Sequence, residues 1–273
     1  MTDSFWIMLG AIPLGIAFLS IGLLRFAAGK DLGGRIASTG TGIGLLAAYV
    51  LVRPSAPLFE DRVALLLVIF LVVGVFGDLL FGKVRILVQT LTIVSPLLAF
   101  AWLAVGILES ASTGTMVAFA LSFAAIAAIG FSLSSADPAR TGTTVLVAMA
   151  ALGIGLVLLL GGDRVTANVA LGAAAVALGL FLWNWPVPRF PAGAGLLLGV
   201  AGPLLALGAV AALDGNASRL GLVLVALVFF AHKMFRLPAA GGRVGRATEP
   251  LLLAAVSAII VLAAVAATTF LAL

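Results

Sequence analysis

Long apolar runs dominate this chain and restrict its fold more than any other feature. Apolar residues make up 63% of its 273 residues, and charged residues make up only 9%. A water-soluble domain is roughly 45–50% apolar and about 25% charged. So few polar side chains cannot cover a surface in water. The sequence therefore predicts a protein that is surrounded by lipid.

Ten of the apolar runs approach the ~20 residues that a membrane-spanning helix needs. Helices are expected because lipid cannot satisfy the open edge of a sheet. The runs cover residues 5–24, 36–52, 63–80, 86–108, 115–133, 143–160, 165–185, 193–213, 220–235 and 250–273, of which the second and ninth are short. The sequence predicts an all-α polytopic membrane protein with about ten transmembrane helices. Residues 1–273 are expected to form a single integral membrane domain, with the first run retained because no basic residues precede it and no cleavage site follows it closely.

The placement of lysine and arginine predicts the orientation. Connections after odd-numbered helices carry eleven of the fifteen basic residues, and those after even-numbered helices carry four. Because basic loops stay in the cytoplasm, both termini are expected on the non-cytoplasmic side. The net charge of +5 fits this topology and contact with anionic lipid, so no nucleic acid partner is expected. The pattern suits the inner membrane of a bacterium.

Several classes of site are excluded by composition. The chain has no cysteine and one histidine, His232, so thiolate metal sites, disulfides and multi-histidine cages are ruled out. The glycine-rich stretch at residues 40–44 lacks the lysine of a phosphate-binding loop and follows no strand.

Polar residues near the ends of the odd-numbered runs are the candidates for function. Asp78 follows Gly77 at the end of the third run, and Lys83 and Gln89 come shortly after it. Ionisable residues at such positions are costly and often functional. Two structural interpretations stay open: Asp78 also fits a local pair with Lys83, and Gln89 also fits a hydrogen bond between helices.

The seventh run ends in a second polar group. Asn184 lies between two tryptophans and is followed by Pro186, Arg189 and Phe190. It also fits a cap on the interrupted helix within an interfacial aromatic belt.

This arrangement resembles the polyprenyl-phosphate N-acetylhexosamine-1-phosphate transferases, the family that includes phospho-MurNAc-pentapeptide translocase. Residues 179–186 (GLFLWNWP) with the following Arg189-Phe190 resemble the family's Gly-Phe-Leu-x-x-Asn-x-Pro segment. Residues 74–80 (GVFGDLL) resemble its Gly-x-x-Asp-Asp segment, and residues 30–42 resemble its basic first loop. Family members have about ten spans, outside termini and cytoplasmic loops after the odd-numbered helices.

The resemblance implies a cytoplasmic surface that binds a phosphorylated lipid. The residues implied in substrate binding are Lys30, Arg35, Lys83, Gln89, Arg140, Asn184, Arg189, Arg236, Arg243 and Arg246. A basic face with few carboxylates suits a phosphate or pyrophosphate headgroup. The positive-inside rule alone would also produce such a face.

The departures from the family fall on its chemistry, which is a magnesium-dependent transfer from a nucleotide sugar to a lipid phosphate. Gly77 stands in place of the first acid of a pair, and Gly193 or Ala194 stands in place of a later acid. Asp78 and Asp137 remain as the candidate catalytic residues and as the candidate ligands for Mg²⁺ if it is retained. Loss of oriented charge or of a general base costs several orders of magnitude in rate.

The sequence therefore predicts a non-catalytic homologue that needs no cofactor. It is expected to bind lipid-linked cell-envelope precursors, with polyprenyl phosphate as the implied lipid, or to stabilise a partner membrane protein or a second copy of itself. Two alternatives stay open. One is a divergent but active glycosyl-1-phosphate transferase that uses Mg²⁺, and the other is a transporter of lipids or small solutes.

Overall fold

The computed structural model describes residues 7–53, 61–81, 84–136, 141–215, 217–234 and 242–271. Within these ranges the chain is helical almost throughout and contains no strand. The main helices are α1 (Ile7–Ala27), α2 (Thr39–Val52), α3 (Arg62–Leu80), α4 (Arg85–Leu108), α5 (Thr113–Ser135), α6 (Gly142–Gly161), α7 (Arg164–Asn184), α8 (Ala194–Asp214), α9 (Arg219–Ala226, Leu227–Phe230 and Ala231–Met234) and α10 (Gly242–Leu271). Two short helical turns, Gly29–Gly33 and Gly34–Ile36, connect α1 to α2.

Eight of these helices, all except α2 and α9, are long and apolar enough to cross a membrane. The prediction of a polytopic α-helical membrane protein is confirmed at this level. The 14 residues of α2 rise about 21 Å, whereas the hydrocarbon core is about 30 Å thick. The short helix α9 is interrupted by a 3₁₀ turn at Leu227–Phe230. That α2 and α9 also cross the membrane stays a prediction.

Contacts between helix ends show which ends of the helices lie together. Asp78 at the end of α3 meets the start of α8 at Ala194, and Gln89 near the start of α4 meets Ser134 at the end of α5. We call this end of the bundle, where odd-numbered helices finish, the odd end. At the opposite end, the even end, Asp61 before α3 contacts Tyr49 near the end of α2.

The bundle is built around α8. In its most apolar 18-residue stretch 83% of the residues are buried, compared with 28% in α1, α4, α5 and α10. Glycines let the helices approach closely. For example, a Cβ atom at Gly179 would lie 3.1 Å from the carbonyl oxygen of Leu14. The outer helices expose large apolar side chains such as Phe26 (78%) and Ile86 (74%), which a lipid environment accommodates.

The last helix differs from its predicted extent. It begins at Gly242 instead of residue 250, and Pro250 lies inside it. The apolar run starts only at the proline, so hydropathy alone places the start too late. Proline within a helix removes one backbone donor, but membrane helices tolerate this where neighbouring groups satisfy the carbonyl.

Candidate functional site

A cavity of about 240 Å³ opens at the odd end of the bundle. Its walls come from the end of α3, the start of α4, the end of α5, the start of α6 and the segment that leads into α8. The lining residues are Arg35, Asp78, Val88, Gln89, Leu133, Ser134, Ala136, Thr143, Pro191, Ala192, Gly193, Ala194 and Leu197. Three sequence-predicted site residues, Arg35, Asp78 and Gln89, therefore meet in one place.

The carboxylate of Asp78 accepts hydrogen bonds from four groups of the protein. The backbone N–H of Ala194 donates to Oδ1 over 2.7 Å. Oδ2 accepts from the N–H of Gly195 (3.0 Å) and from the hydroxyl groups of Ser38 (2.8 Å) and Thr39 (3.4 Å). Asp78 is only 4% exposed, so these donors take the place of water. The carboxylate thus joins α3 to the starts of α2 and α8.

Two glycines leave the space that the carboxylate of Asp78 and its donors occupy. A Cβ atom at Gly193 would lie 2.4 Å from Oδ1 of Asp78, and one at Gly195 would lie 2.4 Å from the backbone nitrogen of Thr39. Real Cβ atoms do not approach other atoms so closely. An acidic side chain at Gly193 would therefore collide with Asp78 where it now lies.

Arg35 lies beside the carboxylate but does not pair with it. Its Nη2 donates to the carbonyl oxygens of Asp78 (3.1 Å) and Leu79 (3.0 Å). These carbonyls belong to the last turn of α3, where a helix presents unsatisfied acceptors and a partial negative charge. Arg35 therefore caps α3 while its half-buried side chain lines the cavity.

The four protein donors compete with a magnesium ion for the carboxylate of Asp78. Mg²⁺ needs oxygen lone pairs directed at it, usually from one or two carboxylates. Both oxygens of Asp78 already accept protein donors, two of which belong to the positive N-terminal end of a helix. In the described ranges, no group of three or more His, Asp and Glu side chains comes together. Asp137, the second predicted ligand, lies outside the described residues.

The other polar lining groups belong to α4, α5 and α6. Gln89 Nε2 donates to the carbonyl oxygen of Ser134 over 3.3 Å, so the predicted hydrogen bond between helices is present. Ser134 is 9% exposed and Thr143 is 4% exposed. The rest of the lining is apolar, apart from Arg35 and Asp78.

Asn184 and Arg189 lie in and after the last turn of α7. Asn184 Oδ1 accepts the backbone N–H groups of Arg189 (2.8 Å) and Phe190 (2.7 Å), and Asn184 is 2% exposed. Asn184 therefore holds the loop that leads to the cavity wall at residues 191–194 and does not itself line the cavity. The side chain of Arg189 is exposed on this loop.

The remaining predicted site residues cannot be placed beside the cavity. Lys83, Arg140 and Arg236, like Asp137, lie outside the described residues. The backbones of Lys30, Arg243 and Arg246 belong to described helical turns, but their side chains lie outside the description.

Sequence reasoning missed the groups that hold Asp78. Ser38 and Thr39 were part of a glycine-rich start of α2, and the amides of Ala194 and Gly195 carry no side-chain signal. These groups are 39 to 117 residues away from Asp78 along the chain. The sequence gives no signal for Thr143 either, because a threonine at the start of an apolar run is common.

Comparison of the chain with protein-family models, with curated proteins and with solved structures gives no match in any of the three.

Proposed function

We propose that this chain is a non-catalytic membrane protein that binds the phosphate headgroup of a lipid in the odd-end cavity, with polyprenyl phosphate as the lipid class. The observation that carries the proposal is the convergence of Arg35, Gln89 and the α8 segment on one cavity whose carboxylate is already satisfied. Arginine and a few hydroxyl or amide groups in a largely apolar wall suit a phosphate on an apolar tail.

The size of the cavity favours a headgroup over a whole nucleotide sugar. Its volume is about 240 Å³, whereas pockets for drug-sized ligands run roughly 300–1,000 Å³. A single phosphate with the first carbons of its chain fits that volume. A donor substrate of a sugar-phosphate transferase carries a nucleoside, two phosphates and a sugar, and it would need more room.

The state of Asp78 favours binding over transfer. A carboxylate that acts on a substrate or holds a metal must present a lone pair to it. All four donors to Asp78 come from the protein. The proposal therefore has no chemical step, and Arg35 supplies the charge that attracts the lipid phosphate.

The proposal extends to topology and location. Eleven of the fifteen basic residues follow odd-numbered apolar runs in the sequence, which supports a cytoplasmic odd end and termini on the opposite side. A bacterial inner membrane supplies both anionic lipid and polyprenyl phosphate. A bound lipid precursor would then be presented to a partner membrane protein or to a second copy of the chain.

The test is binding of polyprenyl phosphate to the purified full chain in detergent, measured by native mass spectrometry. We expect bound polyprenyl phosphate, and at least about tenfold weaker binding of the uncharged polyprenol, because the charge-assisted bonds to the phosphate are lost. Equal binding of the two lipids would refute recognition of the phosphate.

Two alanine-to-leucine substitutions locate the site. Ala192→Leu fills the odd-end cavity, since Ala192 lines it and is 3% exposed. Ala125→Leu adds the same side chain at an exposed position that lines a second cavity, of about 220 Å³, between α5, α6, α8 and α9. We expect Ala192→Leu to abolish phosphate-dependent binding and Ala125→Leu to preserve it. The reverse pattern would move the site to the second cavity.

A further inference from the structure

We propose that the first amides of α8 and the hydroxyl groups of Ser38 and Thr39 form an anion-binding cradle, which Asp78 fills as an anion built into the chain. The cradle consists of four groups that donate to the carboxylate: two backbone N–H groups and two hydroxyl groups. Such a set, at the positive end of the 21-residue helix α8, is suited to a carboxylate.

The cradle is neutral apart from its occupant. The ion pair of Arg53 with Asp61 lies at the other end of the bundle. The guanidinium of Arg35 is directed to backbone carbonyl oxygens and leaves the Asp78 carboxylate to the neutral donors. Charge-assisted hydrogen bonds and the helix terminus are therefore the interactions that stabilise the buried negative charge.

The shape of the cradle is specific to this occupant. Gly193 and Gly195 are packed so closely against Asp78 and Thr39 that even a methyl group would collide. The end of α3 is also wound as a π-helical turn, Gly77–Phe81, which contains Asp78. Single π-helical turns within α-helices are rare and occur frequently at functional sites. Local backbone geometry, small residues and donors thus converge on one carboxylate.

The cradle assigns Asp78 the role of a positioning residue. It fastens α3 to α2 and α8 and thereby sets the wall of the adjoining cavity. This role does not depend on which lipid the cavity binds, and its test is separate from lipid binding.

The test is chemical rescue of Asp78→Ala in the purified full chain. We expect the apparent melting temperature to fall by about 5 °C or more, because several buried donors lose their acceptor. Formate, a carboxylate small enough for the vacated space, should restore much of the loss. Chloride and formamide at the same concentration should restore less, and wild type should not respond to formate.

Two further variants keep the inference testable if Asp78→Ala does not fold. Asp78→Asn retains the side-chain volume, and hydrogen exchange at the amides of Ala194 and Gly195 should become at least about fivefold faster. Ser38→Ala removes a single donor and should lower the melting temperature slightly, with no response to formate.

Three results would contradict the anion-binding role of the cradle. If formate does not stabilise Asp78→Ala, or if the two amides keep their protection in Asp78→Asn, the cradle is not an anion site. If Mg²⁺ stabilises wild type and Asp78→Asn abolishes that effect, Asp78 is a metal ligand and the inference is wrong.

Discussion

The two ends of the bundle hold their aspartates in different ways. At the even end, Asp61 pairs with Arg53 over 2.8 Å, accepts a hydrogen bond from Tyr49 and caps α3 through the N–H of Val63. At the odd end, Asp78 is 4% exposed and its carboxylate has neutral donors alone among the described residues.

The difference follows from access to water. The side chain of Arg53 is 44% exposed, so its charge stays hydrated while it pairs with Asp61. A lysine or arginine facing Asp78 would have to be buried along with it, at a cost that often exceeds the attraction. Hydroxyl and backbone N–H groups satisfy a buried carboxylate without bringing a second charge into the bundle. The odd-end aspartate is therefore held by hydrogen bonds from neutral groups, whereas the even-end aspartate has an ion pair in addition to its hydrogen bonds.

The largest effect should separate the two aspartates directly. Asp78→Asn turns one carboxylate oxygen into an amide nitrogen that faces N–H and O–H donors, and we expect a loss of about 2–4 kcal/mol in unfolding free energy. Asp61→Asn should cost less, about 1 kcal/mol, because Asn keeps an acceptor oxygen for the N–H of Val63 and the lost ion pair has a partner, Arg53, that is 44% exposed. The measurement is unfolding in mixed micelles.

The dependence on salt concentration provides the control for the comparison of Asp78→Asn with Asp61→Asn. Raising sodium chloride should shrink the difference between wild type and Asp61→Asn, because exposed charges are screened. The difference between wild type and Asp78→Asn should hardly change. Equal costs with the same salt dependence would remove the distinction between the two ends.

The next effect concerns the close packing at the odd end. Gly195→Ala places a Cβ atom 2.4 Å from a backbone nitrogen, so the backbone must shift, and we expect a loss of about 1–3 kcal/mol. Gly106→Ala in α4 is the matched control, because nothing lies within 4 Å of its Cβ position. That change should be neutral or slightly stabilising. A neutral Gly195→Ala would mean that α2 and α8 are not held as closely as described.

A smaller effect is expected at Asn184, another polar side chain held by neutral groups at the odd end. Asn184→Ala leaves the N–H groups of Arg189 and Phe190 without their acceptor and should cost about 1–2 kcal/mol. Asn184→Asp keeps an acceptor oxygen and should recover part of that loss. Proteolysis of the loop at residues 185–193 provides the readout, and an unchanged cleavage rate in Asn184→Ala would contradict the capping role.

The smallest effect is a pH dependence at the even end. Burial alone would raise the pKa of Asp61, but hydrogen bonds from Tyr49 and the backbone of α3, together with the charge of Arg53, hold that pKa below its usual 3.8. A carboxyl group whose pKa is lower in the folded state stabilises the fold above its unfolded pKa. It loses that contribution as the pH falls through its folded pKa.

Wild type should therefore lose stability as the pH falls below about 4, and Asp61→Asn should show less of this loss. The measurement is the melting temperature of wild type and of Asp61→Asn, at intervals of about 1 pH unit from pH 6 down to the lowest pH that the detergent solution tolerates. Identical slopes in the two proteins would exclude a contribution from Asp61.

Most of the helices could be predicted from the sequence because composition leaves few alternatives in lipid. The predicted run at residues 143–160 and the observed Gly142–Gly161 differ by one residue at each end. The prediction fails where a helix continues into polar sequence, as at Gly242, because hydropathy reports contact with lipid and not hydrogen bonding.

The candidate site was only partly predictable. Asp78, Arg35 and Gln89 stood out as polar residues beside apolar runs, and all three line the cavity. The partners of Asp78 did not stand out, since two are backbone amides and none is near it in sequence. A local pair with Lys83 is the alternative that spacing offers, and Lys83 lies outside the described residues.

The most direct test of a binding function without catalysis uses a single preparation of the reconstituted protein. Binding of polyprenyl phosphate and transfer of sugar phosphate are both measured in it, once with Mg²⁺ and once with EDTA. We predict that polyprenyl phosphate binds equally well in both conditions and that no sugar phosphate is transferred from any nucleotide sugar. Magnesium-dependent transfer by wild type that disappears in Asp78→Asn would contradict the account.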